Sequence, residues 1–284
     1  MAFNWIKAEE FSFNTFLLAD RWIIRYFLGL GRTSPGYFTK EEYRRHLGIA
    51  LAYNPAVKWY FCEKCPETTE RINGLVKDIP DNLPKEEVRK SEIYVLDAQD
   101  SFVVYLHPVI MEELDYIKLW NPERLLSMVD FRDKLVLDIG SGTGRLAFAA
   151  AKEAKHVFAT DPVDRLREFL REKRDRLGIK NMSVSDGTIE EIPYPDDSFD
   201  IVMSGHVIGD DYDKENGEMT RVTKNGGYVI ACIGEDNGKR EPDKDMIRLG
   251  FEYSYYKSQT GGDIYRYKKK IAKSSEAFSK LTEF

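Results

Sequence analysis

The sequence predicts an α/β protein with a doubly wound, seven-stranded, mostly parallel sheet, preceded by a mainly helical region. Three observations carry this. Strand-like and helix-like segments alternate from residue 134 onward, and three glycines stand at alternate positions between the first strand and its helix. Composition also breaks near residue 125: Trp5, Trp22, Trp59 and Trp120 all precede it, and fifteen Phe, Trp and Tyr fall within residues 1–61. The chain therefore divides into a helical cap and substrate region (1–125) and a ligand-binding sheet domain (126–284).

The first part reads as follows. Thr39 and Glu42 form a capping box for the helix "KEEYRRHLGIALAY". Asn54–Pro55 opens a second helix and Pro66 a third. "EIYVLDAQDSFVVYL" (92–106) alternates about a polar turn and predicts a hairpin. "VIMEELDYIKLW" and "PERLLSMV" continue helically into the glycine segment.

The second part predicts strand "LVLDI", helix "RLAFAAAKEA", strand "HVFAT", helix "VDRLREFLREKRDRLG" and strand "MSVSD". A short helix at "TIEEI", strand "FDIVMS", helix "KENGEMTRVT" and strand "GGYVIACI" follow. After the helix "DMIRLG", "FEYSYYKS" and "DIYRYKKKI" form a closing pair of strands. Repeated βα units imply ligand binding at the C-terminal ends of the parallel strands.

Composition narrows the functional classes. Net charge is −6 and neither half is strongly basic, so a nucleic-acid footprint is not favoured. The run "RLREFLREKRDR" (165–176) alternates signs at helical spacing and reads as a solvated face of paired charges. Asp20, Arg21 and Arg25 interrupt the most apolar segment, so no transmembrane helix or signal peptide is expected, and the predicted compartment is the cytoplasm. Cys62, Cys65 and Cys232 make no disulfide framework. Cys62 and Cys65 are three apart on an expected helix but lack a second pair, so no metal site is predicted. Nothing in the sequence sets the oligomeric state.

The stretch "LDIGSGTGRLAFA" (137–149) decides the ligand class. A triphosphate loop requires Gly-Lys-Ser/Thr, whereas Gly144 is followed by Arg145 and Leu146. Gly142, Gly144 and Ala147 satisfy the dinucleotide pattern, with Asp161 at the spacing of a ribose-binding acid. Asp138, however, would face the pyrophosphate of a dinucleotide, an unfavourable pairing of like charges. The same carboxylate suits a phosphate-free ligand carrying an ammonium or sulfonium.

These residues resemble the class I S-adenosylmethionine-dependent methyltransferases, a Rossmann-like family, over roughly residues 115–270. "LDIGSGTG" is similar to its first motif, and "VFATDP", "VSDGTIEEIPYPDDSFDIVMSGHV" and "EMTRVTKNGGYVIA" to its later ones, in order. The resemblance implies S-adenosyl-L-methionine as cofactor, held by Asp138, Gly140, Ser141, Gly142 and Gly144. It also implies Asp161 and Pro162 at the ribose, Asp186, Gly187 and Thr188 at the adenine, and Ser204 after the fourth strand. The residues alone leave structural readings open. Asp161 and Asp186 are also placed to cap the helices that follow them, and Asp138 to act only as a hydrogen-bond acceptor.

The reaction implied is transfer of a methyl group to an O, N or C nucleophile of a small-molecule acceptor. His206, just past the fourth strand, is the candidate base, its structural alternative being simple packing. The signatures of amino-methylating and pyrimidine-C5 DNA enzymes are absent after strand four. Two other readings stand: a non-catalytic regulatory member of the family, and an aminopropyl transferase using decarboxylated S-adenosylmethionine. The aromatic N-terminal region is expected to border the acceptor's route past His206.

Overall fold

The computed structural model describes residues 6–30, 36–233, 241–257 and 262–273; Trp5 lies outside them. Two compact units form, one of Met1–Leu114 with Val163–Leu166 and the other of Asp115–Pro162 with Arg167–Phe284. The boundary at Leu114 lies ahead of the composition break near residue 125.

The first unit is helical: α1 (Arg21–Phe27), α2 (Glu41–Tyr53), α3 (Pro55–Lys64), α4 (Thr69–Val76), α5 (Lys85–Ala98), α6 (Asp100–Leu106) and α7 (Pro108–Glu113), with short 3₁₀ turns between. Asp20 caps α1 by accepting the Ile23 N–H at 3.0 Å. Aromatic side chains supply much of its core. Phe16 meets Phe27 edge-on at 4.7 Å between ring centroids, and Phe27 meets Phe102 at 5.4 Å. Gly48 lets α2 approach α4, since a Cβ there would lie 2.5 Å from the Leu75 carbonyl oxygen.

Two local expectations fail here. Residues 92–106 are not a hairpin but the end of α5 and all of α6. With Gln99, itself buried at the kink between the two helices (φ −120°, ψ 30°), the buried Val95, Leu96, Phe102, Val103 and Leu106 recur at three- and four-residue spacing, and Val104 is buried beside them. The Thr39–Glu42 box does not form either, because α2 starts at Glu41 with Lys40 as its cap residue. Arg44 instead reaches back and donates to the Phe38 and Thr39 carbonyls at 2.8 and 2.9 Å.

The second unit begins with α8 (Asp115–Lys118) and α9 (Glu123–Leu126). It then alternates through β1 (Leu135–Ile139), α10 (Arg145–Ala150), β2 (His156–Thr160), α11 (Asp164–Arg176), β3 (Met182–Ser185) and β4 (Phe199–Ser204). It closes with α12 (Tyr212–Val222), β5 (Thr223–Cys232), α13 (Lys244–Arg248), β6 (Glu252–Lys257) and β7 (Asp263–Lys270). The sheet order is β3-β2-β1-β4-β5-β7-β6. The first five strands pair in parallel, and β7 inserts antiparallel between β5 and β6. Both faces are covered, as the sequence predicts. Val136, Ile201 and Ile230 pack with α9 and α10 residues on one side, while Leu137, Ile139, Val202 and Val229 pack with α12 and α13 residues on the other.

The strand order reverses between β1 and β4, and the loops following both strands open at that switch point. The short helix expected at "TIEEI" is absent; residues 188–191 form a turn closed by a Thr188–Glu191 bridge. Ile189 and Ile192 are both buried, and Pro193 disfavours helical geometry at the residue before it.

Candidate active site

The site starts from the turn after β1. Gly140, Gly142 and Gly144 all have left-handed backbones, with φ of 68°, 56° and 90°. A Cβ on Gly140 would stand 2.3 Å from Val207 Cγ1, so the turn and the loop after β4 are in close contact. The Ser141 N–H donates to the Thr160 carbonyl at 2.9 Å, and the Gly142 N–H donates to Asp161 Oδ2 at 2.9 Å. The ends of β1 and β2 are thereby tied around the glycines.

Asp138, on β1, and Arg145, opening α10, flank this turn. Asp138 is 1% exposed, and neither carboxylate oxygen has a hydrogen-bond partner among the described residues. The Ser141 hydroxyl donates its only proton to the Asp138 main-chain oxygen at 2.8 Å. Burial raises the Asp138 pKa from 3.8 to about 7; the Arg145 charge offsets part of that rise, and Asp161 adds to it. Arg145 Nη2 donates to the Cys232 carbonyl at 3.0 Å, and its guanidinium lies 4.8 Å from the Trp120 ring centroid. Arg145 Nη1 is buried with no hydrogen-bond partner among the described residues. The adjacent Cys232 thiol is held neutral by burial, its pKa pushed up to about 11.

The third element is an arginine bridge. Arg167 is 8% exposed and donates through Nη1 to the Asp161 carbonyl at 2.6 Å and to Asp186 Oδ1 at 3.2 Å. The Asp186 side chain is 74% exposed beside half-buried Gly187 and Thr188. A Cβ at Gly187 would come 2.9 Å from Pro193 Cδ, so the chain is tight there too. Arg167 corrects the expectation of an entirely solvated α11 face. It stands three residues before fully buried Leu170, and that spacing was the available signal.

After β4, Ser204 is buried and accepts the Val207 N–H at 3.4 Å, whereas His206 is exposed with the Tyr116 ring edge-on at 5.8 Å. Ser204 and His206 line a cavity of about 150 Å³ together with Tyr212, Asp243, Tyr265 and Tyr267. Asp161, Asp186, the glycine turn and Arg167 thus form one connected group, with Val207 joining it to the His206 loop. Pro162 follows Asp161 half-buried. Sequence reasoning missed Trp120, Arg145, Arg167, Tyr212 and Asp243. Cys62 is half-buried and Cys65 buried, and no group of three metal-ligating side chains occurs among the described residues.

Comparison with known proteins adds to this geometry. A model of the methyltransferase domain matches residues 137–231. Those residues, about a third of the chain, resemble a methyltransferase domain. This domain is 33% identical over 97 residues to an uncharacterized methyltransferase, YcgJ, of Bacillus subtilis, covering 34% of this chain and 38% of that protein. A Listeria welshimeri demethylmenaquinone methyltransferase is 30% identical over 139 residues, covering 47% of this chain and 58% of that one. The chain thus spans less than two thirds of either curated relative. Among solved structures, a SAM dependent methyltransferase from Aquifex aeolicus aligns with TM-score 0.49 and 19% identity, over 59% of this chain and 98% of that one. No helix among the described residues is long and apolar enough to cross a membrane.

Proposed function

We propose that the protein is an enzyme that binds S-adenosyl-L-methionine and transfers its methyl group to a small-molecule acceptor. The observation that carries this reading is the pair of unmatched groups flanking the glycine turn. A buried carboxylate and a buried guanidinium N–H, each without a hydrogen-bond partner among the described residues, complement the ammonium and carboxylate of an α-amino acid. A dinucleotide would bring phosphate toward Asp138, and decarboxylated S-adenosylmethionine would leave Arg145 Nη1 unmatched.

When bound, the cofactor supplies a methyl group activated by a sulfonium. The chain's part is to hold and orient. Gly140, Ser141, Gly142 and Gly144 let the backbone approach closely, Asp161 and Pro162 take the ribose, and Asp186, Gly187 and Thr188 take the adenine. Arg167, bonded to both the Asp161 carbonyl and Asp186, fixes the distance between those two subsites. Ser204 borders the methyl position, and His206 accepts the proton that a hydroxyl or ammonium acceptor must lose. Alignment of this kind supplies roughly 7–11 kcal/mol in well-oriented systems.

Titration calorimetry tests the reading. S-adenosylmethionine and S-adenosylhomocysteine should bind, with affinity strongly reduced in Asp161→Ala. Tighter binding of NAD than of either would overturn it.

A further inference from the structure

The segment joining β4 to α12 carries His206, and its far end is fastened by a side chain that the methyl-transfer reading does not use. That side chain is Glu215, the fourth residue of α12 and fully buried. Asp211 caps the helix by accepting the Lys214 N–H at 3.2 Å, and Glu215 Oε1 accepts the Asp211 N–H at 3.1 Å in return. This exchange resembles a capping box set one residue further into the helix. Capping occupies one oxygen. The other, Oε2, accepts the Gly209 N–H at 2.8 Å, two residues ahead of the cap.

That second bond reaches the segment where it can bend. Gly205 and Gly209 bracket His206, Val207 and Ile208. Gly209 has φ of 142°, a backbone that other residues rarely adopt, and a Cβ on Gly205 would stand 3.1 Å from Arg145 Nη2. At the near end the Val207 N–H donates to Ser204 Oγ at a long 3.4 Å, so the bond to Glu215 is the shorter of the two. Between these ends Val207 bears on the glycine turn, its Cγ1 lying 2.3 Å from where a Gly140 Cβ would stand. Val207 and Ile208 also pack on the core cluster that holds Leu137, Ile139 and Met219. Where Gly209 is held therefore governs how Val207 sits on the Gly140 backbone.

We propose that Glu215 is a positioning residue of the cofactor site: by holding the Gly209 and Asp211 N–H groups it keeps the His206–Ile208 segment down, with Val207 seated against the glycine turn. Its effect on the site passes through Val207. The consequence for S-adenosylmethionine rests on the methyltransferase reading; the clamp itself rests on the two hydrogen bonds.

The experiment is a double-mutant cycle on the full chain, read by calorimetry with S-adenosylhomocysteine. Glu215→Gln sets an NH₂ group against one of the two N–H donors and breaks that bond. It should weaken S-adenosylhomocysteine binding by about fivefold or more. Val207→Ala removes the contact with Gly140, and in that background Glu215→Gln should change the affinity by less than about twofold. A role confined to the stability of α12 would leave the two effects multiplicative. In Glu215→Gln the Gly209 and Asp211 amides should also exchange about tenfold faster or more, while β1 exchange stays unchanged. Where that variant fails to fold, the unaltered protein decides. Protection of both amides, increased by S-adenosylhomocysteine, supports the proposal, and exchange at the rate of an open chain overturns it. Multiplicative effects, or an unchanged affinity in Glu215→Gln, overturn the role of Glu215 alone. Failure of S-adenosylhomocysteine to bind the unaltered protein overturns the cofactor reading, and this proposal with it.

Discussion

Replacing Asp138 with asparagine should stabilise the sheet unit and weaken its ligand binding, and the stabilisation should depend on pH. Burial takes this carboxyl from an ordinary 3.8 to about 7. Between those values the native state holds a proton that the unfolded chain has released, so rising pH favours unfolding by one proton's worth. At about 1.4 kcal/mol per pH unit, the ionised carboxylate costs the native state roughly 4 kcal/mol above pH 7. Asparagine keeps the shape and removes the charge, though its unpaired amide costs about 1–2 kcal/mol. The net gain is therefore about 2–3 kcal/mol at pH 8.5, shrinking to nothing or a slight loss near pH 4. Hydrogen exchange of the β1 amides, read by mass spectrometry at pH 5, 7 and 8.5, isolates this unit from the helical one. Equal protection differences between variant and parent at pH 5 and 8.5 would show that Asp138 does not titrate in that range. The reasoning would then fail.

Three further outcomes follow from the same site. Below pH 7 Asp138 must ionise to meet an ammonium, so S-adenosylmethionine binding should release about one proton at pH 6, whereas at pH 8.5 Asp138 releases almost none and the cofactor's largely neutral α-amino group takes one up, measured by calorimetry in buffers of differing ionisation enthalpy. Arg145→Met keeps bulk against Trp120 but removes the donor; it should weaken S-adenosylhomocysteine binding by about 1.5–3 kcal/mol and leave a decarboxylated analogue nearly unaffected. His206→Ala should lower methyl transfer by about 10²–10⁴-fold in a product assay while cofactor affinity stays constant.

What the sequence made legible was local and periodic. Alternate glycines after an apolar strand foretell a left-handed turn, and βα alternation foretells the sheet and the edge where its loops gather. Two errors had a common cause. At 92–106, β-branched and aromatic residues mimic a strand, whereas burial at three- and four-residue spacing makes them helical. At 188–192, glutamates suggest a helix that Pro193 and the burial of Ile189 and Ile192 prevent. The missed groups were non-local. Tyr212 and Asp243 meet across 31 positions, and Arg145 reaches the Cys232 carbonyl across 87, contacts that no window of sequence displays. Arg167 was hidden differently, as one charge among many on a helix whose buried stripe it shares.

The placement of β7 bears on how the protein is made. Among the described residues β6 pairs only with β7, and the outer edge of β5 is filled by β7 alone. During synthesis, then, β1 to β5 are complete while β5 still presents an open row of N–H and C=O groups, and β6 emerges with no strand to join. Closure waits until residue 270 has cleared the ribosome, when one strand satisfies both neighbours at once. Chains halted between residues 232 and 263 carry a bare edge next to finished strands, the state most open to pairing with another nascent chain. Two tyrosines that line the cavity past Ser204, Tyr265 and Tyr267, arrive on that same last strand. The cavity past Ser204 and the sealed sheet edge are therefore completed in a single event, and a ribosome-released fragment lacking β7 has neither.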